Sequence, residues 1–301
     1  MKPVLDQVNG ILLGKDEAVR LALSCLMAGG HLLIEDIPGV GKTTLAQALA
    51  RALGLSYRRI QFTSDLLPAD VIGISVYRRE QGDFEFHPGP VFSQLVLADE
   101  INRATPRAQS ALLEVMEEHQ VTVDGVSHPL PEPFFVIATQ NPTEQVGTYP
   151  LPESQLDRFL MRISLGYPAP SAERSVLRGR DRRELLREMH AAIEPAELAA
   201  VLAKVPNQHA SDALLDYLQA LVRATRDPAR FRHGLSTRAG LALLRAAQAW
   251  SLLAGRSGVL PEDLQAVFVA VAGHRLLPAD HADRRSGAQL AAAVLDSVAI
   301  P

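Results

Sequence analysis

Residues 38–44 have the sequence PGVGKTT, a run whose composition suits the binding of a phosphate group. Gly39 and Gly41 carry no Cβ, so the backbone can approach an anion closely and point its N–H groups at it. Lys42 adds a cation that can reach the β- and γ-phosphates, and the hydroxyl of Thr43 is a ligand that Mg²⁺ accepts. An apolar strand before the run and a helix-forming stretch after it favour a phosphate-binding loop at a helix N-terminus. The predicted nucleotide-binding residues are therefore Pro38, Gly39, Val40, Gly41, Lys42, Thr43 and Thr44.

Asp36 stands where the usual pattern of such a loop has its first glycine. This position leaves the strand before the loop curls around the phosphates, so its side chain can point away from them. A carboxylate pointing inward would repel the phosphates, which favours the outward orientation. We therefore interpret Asp36 as a tolerated variation, and we expect Asp36→Gly to leave ATP affinity close to that of the wild type.

Two adjacent carboxylates, Asp99 and Glu100, follow the apolar residues 95–98. Ligands of α/β sheets bind at the carboxyl ends of the strands, where this pair would lie. Asp99 is predicted to hold Mg²⁺ together with Thr43, and Glu100 to polarise the attacking water as general base. The alternative is that the pair only caps the helix that follows. The adjacent glutamate and the absence of an NKxD or TKxD guanine-reading motif favour hydrolysis of ATP.

Asn141 ends another apolar run, at residues 134–141. In a neighbouring strand of the same sheet, its side chain would lie between the two previous strand ends. There it could hydrogen-bond the γ-phosphate or the attacking water. The alternative is an ordinary turn, because asparagine before proline is common in turns.

Three short apolar runs, at 31–35, 94–100 and 134–141, would position these side chains. Continuous rather than alternating apolar residues indicate strands covered on both faces, and the intervening segments are long enough for parallel crossovers. Two further segments, 75–89 and 120–128, have short alternating arms around polar turns and predict β-hairpins; the alternative is that they only decorate the surface. The predicted fold class is α/β: a P-loop NTPase with a three-layer α/β/α parallel sheet and β-hairpin insertions.

The character of the sequence changes after Leu165. The stretch GYPAPSAER predicts a hinge, and the arginine-rich stretch after it mixes in acidic residues, which favours a solvated helix face over a nucleic-acid patch. From Pro195 onward no strand-like run stands out, and residues 241–255 are apolar almost all round, as in a central helix of a bundle. The predicted organisation is an ATP-binding α/β domain at 1–165, a hinge at 166–185 and a small all-helical lid domain at 186–301.

The composition limits the class of protein further. Nearly half of the 301 residues are apolar, and the formal net charge of -4 makes nucleic acid an unlikely partner, because charge-driven binding needs a basic surface. The single cysteine, Cys25, lies in an apolar helical pattern, which predicts a buried thiol. The N-terminus lacks a signal-peptide core, and no run approaches the ~20 apolar residues of a membrane span. We therefore expect a cytoplasmic protein with no membrane span.

In their order and spacing, the three motifs resemble those of the AAA+ ATPases. The strings EDIPGVGKTTLA, PGPVFSQLVLADEINRATPRAQSALLEVMEEHQVTVDG, PFFVIATQNPTEQVGTYPLPESQLDRFLMRI and HGLSTRAG are similar to the MoxR branch of that superfamily. The resemblance runs from about Gly14 to the C-terminus. It implies ATP and Mg²⁺ as cofactors and a homo-oligomer, a hexameric ring. It also implies chaperone-like remodelling or maturation of client proteins, often with a von Willebrand factor A-type protein.

The resemblance also implies roles for two arginines. Arg158, in QLDRF, matches the arginine finger that enters a neighbouring subunit's active site, and Arg238, in LSTRA, matches the lid residue called sensor 2, which contacts the γ-phosphate. Nucleotide would then bind between the α/β domain and the lid. From the residues alone, Arg158 fits a surface ion pair. Arg238 follows the N-cap candidate Ser236, where a cation opposes the helix dipole unless an anion is near. Arg103 and Arg107 would face a neighbouring subunit or solvent. The predicted catalytic residues are Glu100, Asn141, Arg158 and Arg238.

Three alternatives remain open at this point. A magnesium-chelatase-like motor subunit would have a similar architecture with the same hairpin insertions. A nucleotide-gated binding module would use slow hydrolysis only as a timer. A DNA-dependent motor is disfavoured by the acidic net charge.

Overall fold

The structure, a computed structural model, describes residues 1–80, 82–142 and 147–300. Its helices and strands are numbered here in chain order. The strands are β1 (Leu32–Glu35), β2 (Tyr57–Gln61), β3 (Gly73–Arg78), β4 (Asp83–Pro88), β5 (Leu95–Asp99), β6 (Gln120–Val123), β7 (Val126–Pro129), β8 (Phe135–Gln140) and β9 (Met161–Ile163).

The helices of the first half precede, follow or connect these strands, and those of the second half follow one another. They are α1 (Lys2–Ile11), α2 (Asp16–Met27), α3 (Lys42–Ala52), α4 (Pro68–Ile72), α5 (Pro106–Glu118), α6 (Glu153–Leu156), α7 (Pro170–Arg178), α8 (Arg182–Glu188), α9 (Pro195–Lys204), α10 (Asp212–Ala224), α11 (Thr237–Leu253), α12 (Pro261–Ala272) and α13 (Gly287–Ser297). Two single-turn 3₁₀ helices, Ile101–Arg103 and Val205–Asn207, complete the set.

The central sheet has five parallel strands in the order β2-β5-β8-β1-β9. The three strands predicted from continuous apolar runs are confirmed as β1, β5 and β8, and they form the middle of the sheet. The two edge strands were missed. In β2, YRRIQ, only Ile60 is buried, and β9 is three residues long, so neither produces an apolar run. Edge strands have only one covered side in the plane of the sheet, which relaxes the need for such a run.

The two faces of the sheet belong to two hydrophobic clusters. Leu32 and Ile34 of β1 point to one face, which is covered by α1, α2 and α3, while Leu33 points to the other, which is covered by α5. The same alternation holds in β5, where Leu95 and Leu97 oppose Val96 and Ala98. Because successive side chains of a strand point to opposite faces, helices on both sides bury all of them. The predicted three-layer α/β/α arrangement is confirmed.

The two predicted β-hairpins are also confirmed. β3 pairs antiparallel with β4, and β6 pairs antiparallel with β7 around a turn in which Asp124 and Gly125 have φ angles of 52° and 79°. The hairpins are in contact with each other, since the rings of Phe86 and His128 stack with centroids 4.0 Å apart. They therefore form one feature on the surface of the sheet domain.

The described residues beyond Arg187 contain helices, turns and two isolated bridges but no extended strand. The last four helices form a bundle whose buried residues belong to the same cluster as α1–α3. Helix α11 packs on α2, where the guanidinium of Arg20 lies 4.0 Å from the centre of the Trp250 ring. Cys25 of α2 is buried as predicted, and burial raises the pKa of its thiol. The predicted domain limits remain expectations, and the short helices α7 and α8 span the predicted hinge.

Candidate active site

The carboxyl ends of β1, β5 and β8 meet at one edge of the sheet. Ile34 is in register with Thr139, and Ala98 with Ala138, so the residues after each strand lie side by side. This arrangement brings the phosphate-loop candidates, the Asp99–Glu100 pair and Asn141 to the same edge. The Asn141 side chain is buried there, at 4% exposure. The residue types and their convergence suit a polyphosphate with a divalent cation.

The loop between β1 and α3 has the backbone that its glycines predict. Gly39 and Gly41 have φ angles of 84° and 101°, in a region that residues with a Cβ rarely adopt. Helix α3 begins at Lys42, directly after Gly41, so its first N–H groups point into the loop. Pro38 and Val40 lie in the same turn as the glycines, and Thr43 and Thr44 are in the first helical turn.

The side chain of Lys42 turns back over this loop. Its Nζ donates to the carbonyl oxygens of Asp36, of Ile37 at 3.2 Å and of Gln140 at 3.3 Å. The ammonium group therefore lies between the loop and the end of β8. It is a cation next to the N-terminus of α3, the place where a phosphate would bind.

Asp99 is held between the loop and β8. Its Oδ1 accepts from the hydroxyl of Thr139 at 2.6 Å, and its Oδ2 lies 3.5 Å from the hydroxyl of Thr43. Mg²⁺ prefers oxygen ligands and usually takes only one or two from the protein, the rest coming from water and phosphate. The described residues contain no group of three or more His, Cys, Asp or Glu that could hold a metal ion by themselves. The pair of Asp99 and Thr43 fits Mg²⁺ that is also bound by a nucleotide.

Three polar side chains surround the two carboxylates, and the sequence analysis assigned no role to two of them, those of Arg59 and Gln61. Arg59 of β2 donates through Nε to Asp99 Oδ2 at 2.9 Å, and its Nη2 donates to Gln61 Oε1 at 2.6 Å. Gln61 in turn donates to Glu100 Oε2 at 2.9 Å, and Arg103 donates to the same oxygen at 3.0 Å. Arg103 pairs with Glu100 of its own chain and keeps 48% of its side chain exposed, which agrees with the expected contact with solvent. That it faces a neighbouring subunit stays a prediction. The polar residues of β2 were the only signal in the sequence that could have indicated this network.

The carboxylate of Asp36 points away from the loop and binds the segment after β9. Its Oδ2 accepts hydrogen bonds from Ser164 Oγ at 2.7 Å, Leu165 N at 2.7 Å and Gly166 N at 2.6 Å. Lys15 binds the same segment, because its Nζ donates to the carbonyl oxygens of Leu165 and Gly166, both at 2.7 Å. The predicted outward orientation is confirmed. The carboxylate also fixes the start of the predicted hinge, a structural contact that the sequence did not indicate. The expectation that Asp36→Gly leaves ATP affinity close to that of the wild type stays a prediction.

These contacts set the ionisation of Asp36. Burial by itself would raise the pKa of its carboxyl group, but hydrogen bonds from Gly166, Ser164, Ile37 and Leu165 hold the pKa below its ordinary value. A carboxyl group whose pKa is lower in the folded chain stabilises the fold above the unfolded pKa of about 4. That stabilisation is lost as the pH falls through the folded pKa.

We expect Asp36→Asn to lower the free energy of unfolding at neutral pH by about 2–4 kcal/mol, because an amide cannot accept all the hydrogen bonds of the carboxylate. In urea unfolding, the deficit relative to the wild type should shrink as the pH is lowered to about 3. Asp6→Asn is the matched control, since Asp6 is exposed on α1, and it should behave like the wild type throughout. A deficit of equal size at both pH values would contradict a role for the charge.

Arg158 and Arg238 lie together, at a different place from the loop. Both pair with the carboxylate of Glu117 near the end of α5: Arg158 through Oε2, and Arg238 through Oε1 at 3.5 Å. Arg158 also donates to the carbonyl oxygen of Leu113 at 2.7 Å. Ser236 accepts from the N–H of Ala239 and is the predicted N-cap of the helix that carries Arg238. The surface ion pair considered for Arg158 is present.

This pair of arginines is at the amino-terminal edge of the sheet. The carbonyl oxygen of Met116, next to Glu117, lies 3.1 Å from Nε2 of His31, and His31 directly precedes β1. Arg158 precedes β9, which runs parallel to β1. The loop follows β1, so the four residues of that strand, about 13 Å, separate the two edges. Arg238 was expected to contact a γ-phosphate bound between the α/β domain and the lid. Within one chain it faces Glu117 instead.

The arginines line a pocket of about 380 Å³ with a positive balance of charge. Besides Arg158 and Arg238, two further arginines line it, against the carboxylates of Glu117 and Asp157. Burial lowers the pKa of His31, which also lines the pocket, to about 4, so its ring is neutral at physiological pH. The pocket thus has an excess of positive charge that suits an anion supplied from outside the chain. The additional arginines are Arg245 and Arg275.

Comparison with known proteins identifies the class to which this fold and site belong. Residues 31–161 match the family described as ATPase family associated with various cellular activities (AAA), and residues 223–294 match the AAA lid domain. The chain is therefore an AAA+ ATPase by family, with a C-terminal helical lid. In the part of the chain that the structure describes, no helix has the length and apolar character needed to cross a membrane.

The relatives narrow the class to one branch. The chain is 40% identical to Chaperone MoxR1 of Mycobacterium tuberculosis over 98% of its length and 81% of that protein. It is 37% identical to Protein MoxR of Paracoccus denitrificans over 89% of its length and 86% of that protein. A crystal structure of a putative ATPase from Cytophaga hutchinsonii superposes with a TM-score of 0.90, at 38% identity, over 100% of this chain and 94% of that one. The chain belongs to the MoxR family of AAA+ ATPases.

Proposed function

We propose that this chain hydrolyses ATP in an Mg²⁺-dependent reaction at the junction of two copies of itself, and that it uses the reaction to remodel or mature client proteins. The observation that carries the proposal is the separation of the predicted catalytic residues. The loop and the carboxylates lie at one edge of the sheet, while Arg158 and Arg238 lie at the other. A second copy of the chain can supply the missing arginines.

On this proposal, the residues after β1 and β5 bind and activate the substrate. The loop N–H groups and Lys42 hold the phosphates, and Asp99 and Thr43 hold Mg²⁺, which would neutralise phosphate charge during transfer. Glu100 takes a proton from the attacking water as general base. The side chain of Asn141, buried at the same edge, orients that water or the γ-phosphate.

The arginines of the neighbouring copy act on the charge that develops in the transition state. An arginine that enters from outside is effective because it excludes water and adds a fixed positive charge at the transferring phosphoryl group. If every copy supplies its arginines to the active site of the next copy, the contact between copies is heterologous. A closed hexameric ring then completes every active site. The client, or a von Willebrand factor A-type partner, would contact the ring, and the conformational change that accompanies hydrolysis would be transmitted to it. The relative named Chaperone MoxR1 supports this chaperone-like assignment.

The test is ATP turnover measured as a function of the concentration of the chain. We expect the rate per chain to rise with concentration, because each complete site needs two copies, and to require added Mg²⁺. Lys42→Ala is the control, since it removes the loop cation while leaving Arg158 and Arg238 in place, and it should be inactive at every concentration. A rate per chain that is constant on dilution into the monomer range would contradict a shared site.

A further inference from the structure

Arg59 forms an ion pair with Asp99, and the proposed nucleotide chemistry gives this ion pair no role. The side chain of Arg59, which is 48% exposed, approaches Asp99 Oδ2 with Nη2 at 2.7 Å and Nε at 2.9 Å. The Asp99 side chain itself is only 9% exposed. A nearly buried carboxylate is thus neutralised by a guanidinium group that remains half in water.

The oxygen that Arg59 contacts is the one that faces the loop. Asp99 Oδ2 lies 3.5 Å from the Thr43 hydroxyl, whereas Oδ1 is engaged by Thr139 at 2.6 Å. A cation held jointly by Asp99 and Thr43 must therefore interact with Oδ2, directly or through water. Arg59 and the metal ion carry the same sign of charge, and at contact distances in a partly buried site their repulsion is substantial.

We propose that Arg59 is a positioning residue that competes with Mg²⁺ for Asp99: it neutralises Asp99 while the site lacks metal and is displaced when Mg²⁺ enters with the nucleotide. The inference rests on the proposed function, which assigns Mg²⁺ to Asp99. In the metal-free site, Arg59 thus provides the positive charge beside Asp99. Mg²⁺ binds only if its interaction with Asp99 outweighs the loss of the Arg59–Asp99 ion pair.

The surroundings of Arg59 allow this exchange. β2 is an edge strand of the central sheet, so no further strand of that sheet covers its outer side. Gln61, two residues along the same strand, accepts a hydrogen bond from Arg59 Nη2 at 2.6 Å. It can keep this hydrogen bond when Arg59 loses its contact with Asp99. The displaced guanidinium group can therefore keep one hydrogen bond and regain water, which makes the displacement reversible.

The experiment compares Arg59→Ala with Arg58→Ala, the matched control. Arg58 is the preceding residue of β2, and its exposed side chain has no hydrogen bond or ion pair with any described residue. Both variants lose one positive charge from the same strand. Binding of a fluorescent, non-hydrolysable ATP analogue is measured at increasing free Mg²⁺, and thermal unfolding is measured without metal and nucleotide. Arg59→Lys is included because it restores the charge.

We expect Arg59→Ala to reach half-maximal Mg²⁺-dependent binding at about tenfold lower free Mg²⁺ than the wild type, the factor that loss of one charged hydrogen-bonding competitor would give. Without metal it should unfold at a lower temperature than Arg58→Ala, because Asp99 loses its ion pair with Arg59. Arg59→Lys should lie nearer the wild type in both measurements. An unchanged or higher Mg²⁺ requirement in Arg59→Ala, with normal Mg²⁺ dependence in the wild type, would overturn the competition alone. If the affinity of the wild type for the ATP analogue did not depend on free Mg²⁺, the metal assignment of the proposed function would be overturned.

Discussion

Arg158→Ala is expected to reduce ATP turnover by about a thousandfold or more while leaving nucleotide binding nearly unchanged. Arginines supplied in trans to a phosphoryl-transfer site contribute factors of about 10³–10⁵. Arg158 lies at the sheet edge remote from its own loop, so its loss leaves Lys42 and the two carboxylates in place. Phosphate release and equilibrium nucleotide binding, measured on the same preparation, separate the two effects.

Mixing experiments show whether Arg158 acts on another copy. An Arg158→Ala copy keeps an intact loop, and a Lys42→Ala copy keeps an intact Arg158, so a junction between them can contain one complete site. Mixtures of these two inactive variants should regain part of the wild-type rate. Glu117→Gln is the control for the lost ion pair, because it breaks the pairing but keeps both arginines, and it should retain turnover. Absence of any rescue in the mixtures would argue against action in trans.

Glu100→Gln is expected to retain ATP binding and lose about 10²–10⁴-fold in turnover, because a glutamine cannot accept the proton of the attacking water. Glu100 has a φ angle of 55°, and its carboxylate is fixed by Gln61 and Arg103, so it is held in one orientation beside Asp99. The neutral amide keeps the shape of the side chain. The measurement is single-turnover phosphate release from pre-bound ATP.

Glu114→Gln is the matched control for this change, since Glu114 is an exposed carboxylate on α5 at the surface of the same domain. It should hydrolyse ATP at the wild-type rate. If Glu100→Gln did so too, the assignment of the general base would be wrong. If it retains ATP as expected, the variant also serves as a trap, and the proteins that co-purify with it in ATP are candidate clients.

The middle of the sheet and the loop could be predicted because their physics is local in sequence. A strand covered on both faces must be apolar throughout, as in β1, β5 and β8, and a phosphate-binding turn needs its glycines within a few residues. The edge strand β2 escaped prediction since YRRIQ places its arginines in water or on other side chains. Its hydrophobic pattern is therefore too weak to distinguish it from a loop.

The contacts that refine the site join residues far apart in the chain. Arg59 meets Asp99 across 40 positions, and Asp36 meets Gly166 across 130. No spacing rule connects such residues, so Asp36 could be oriented correctly by electrostatic reasoning while its partner stayed unknown. The motif around Arg238 likewise indicates a phosphate contact but says nothing about which copy of the chain provides the phosphate.

The carboxylate shared by Arg158 and Arg238 bears on how firmly neighbouring copies hold each other. On the proposed function, Glu117 of a lone chain occupies the two arginines in place of the phosphate of a neighbouring copy, so docking of two copies would exchange one anion for another. The free energy gained at the junction is then the difference between two ion-pair arrangements, which is much smaller than either of them. Glu117 also keeps one partner when only one arginine has turned outward. An assembly of the proposed kind would therefore release and re-form its contacts in every catalytic cycle, and the nucleotide state would determine which anion the arginines face.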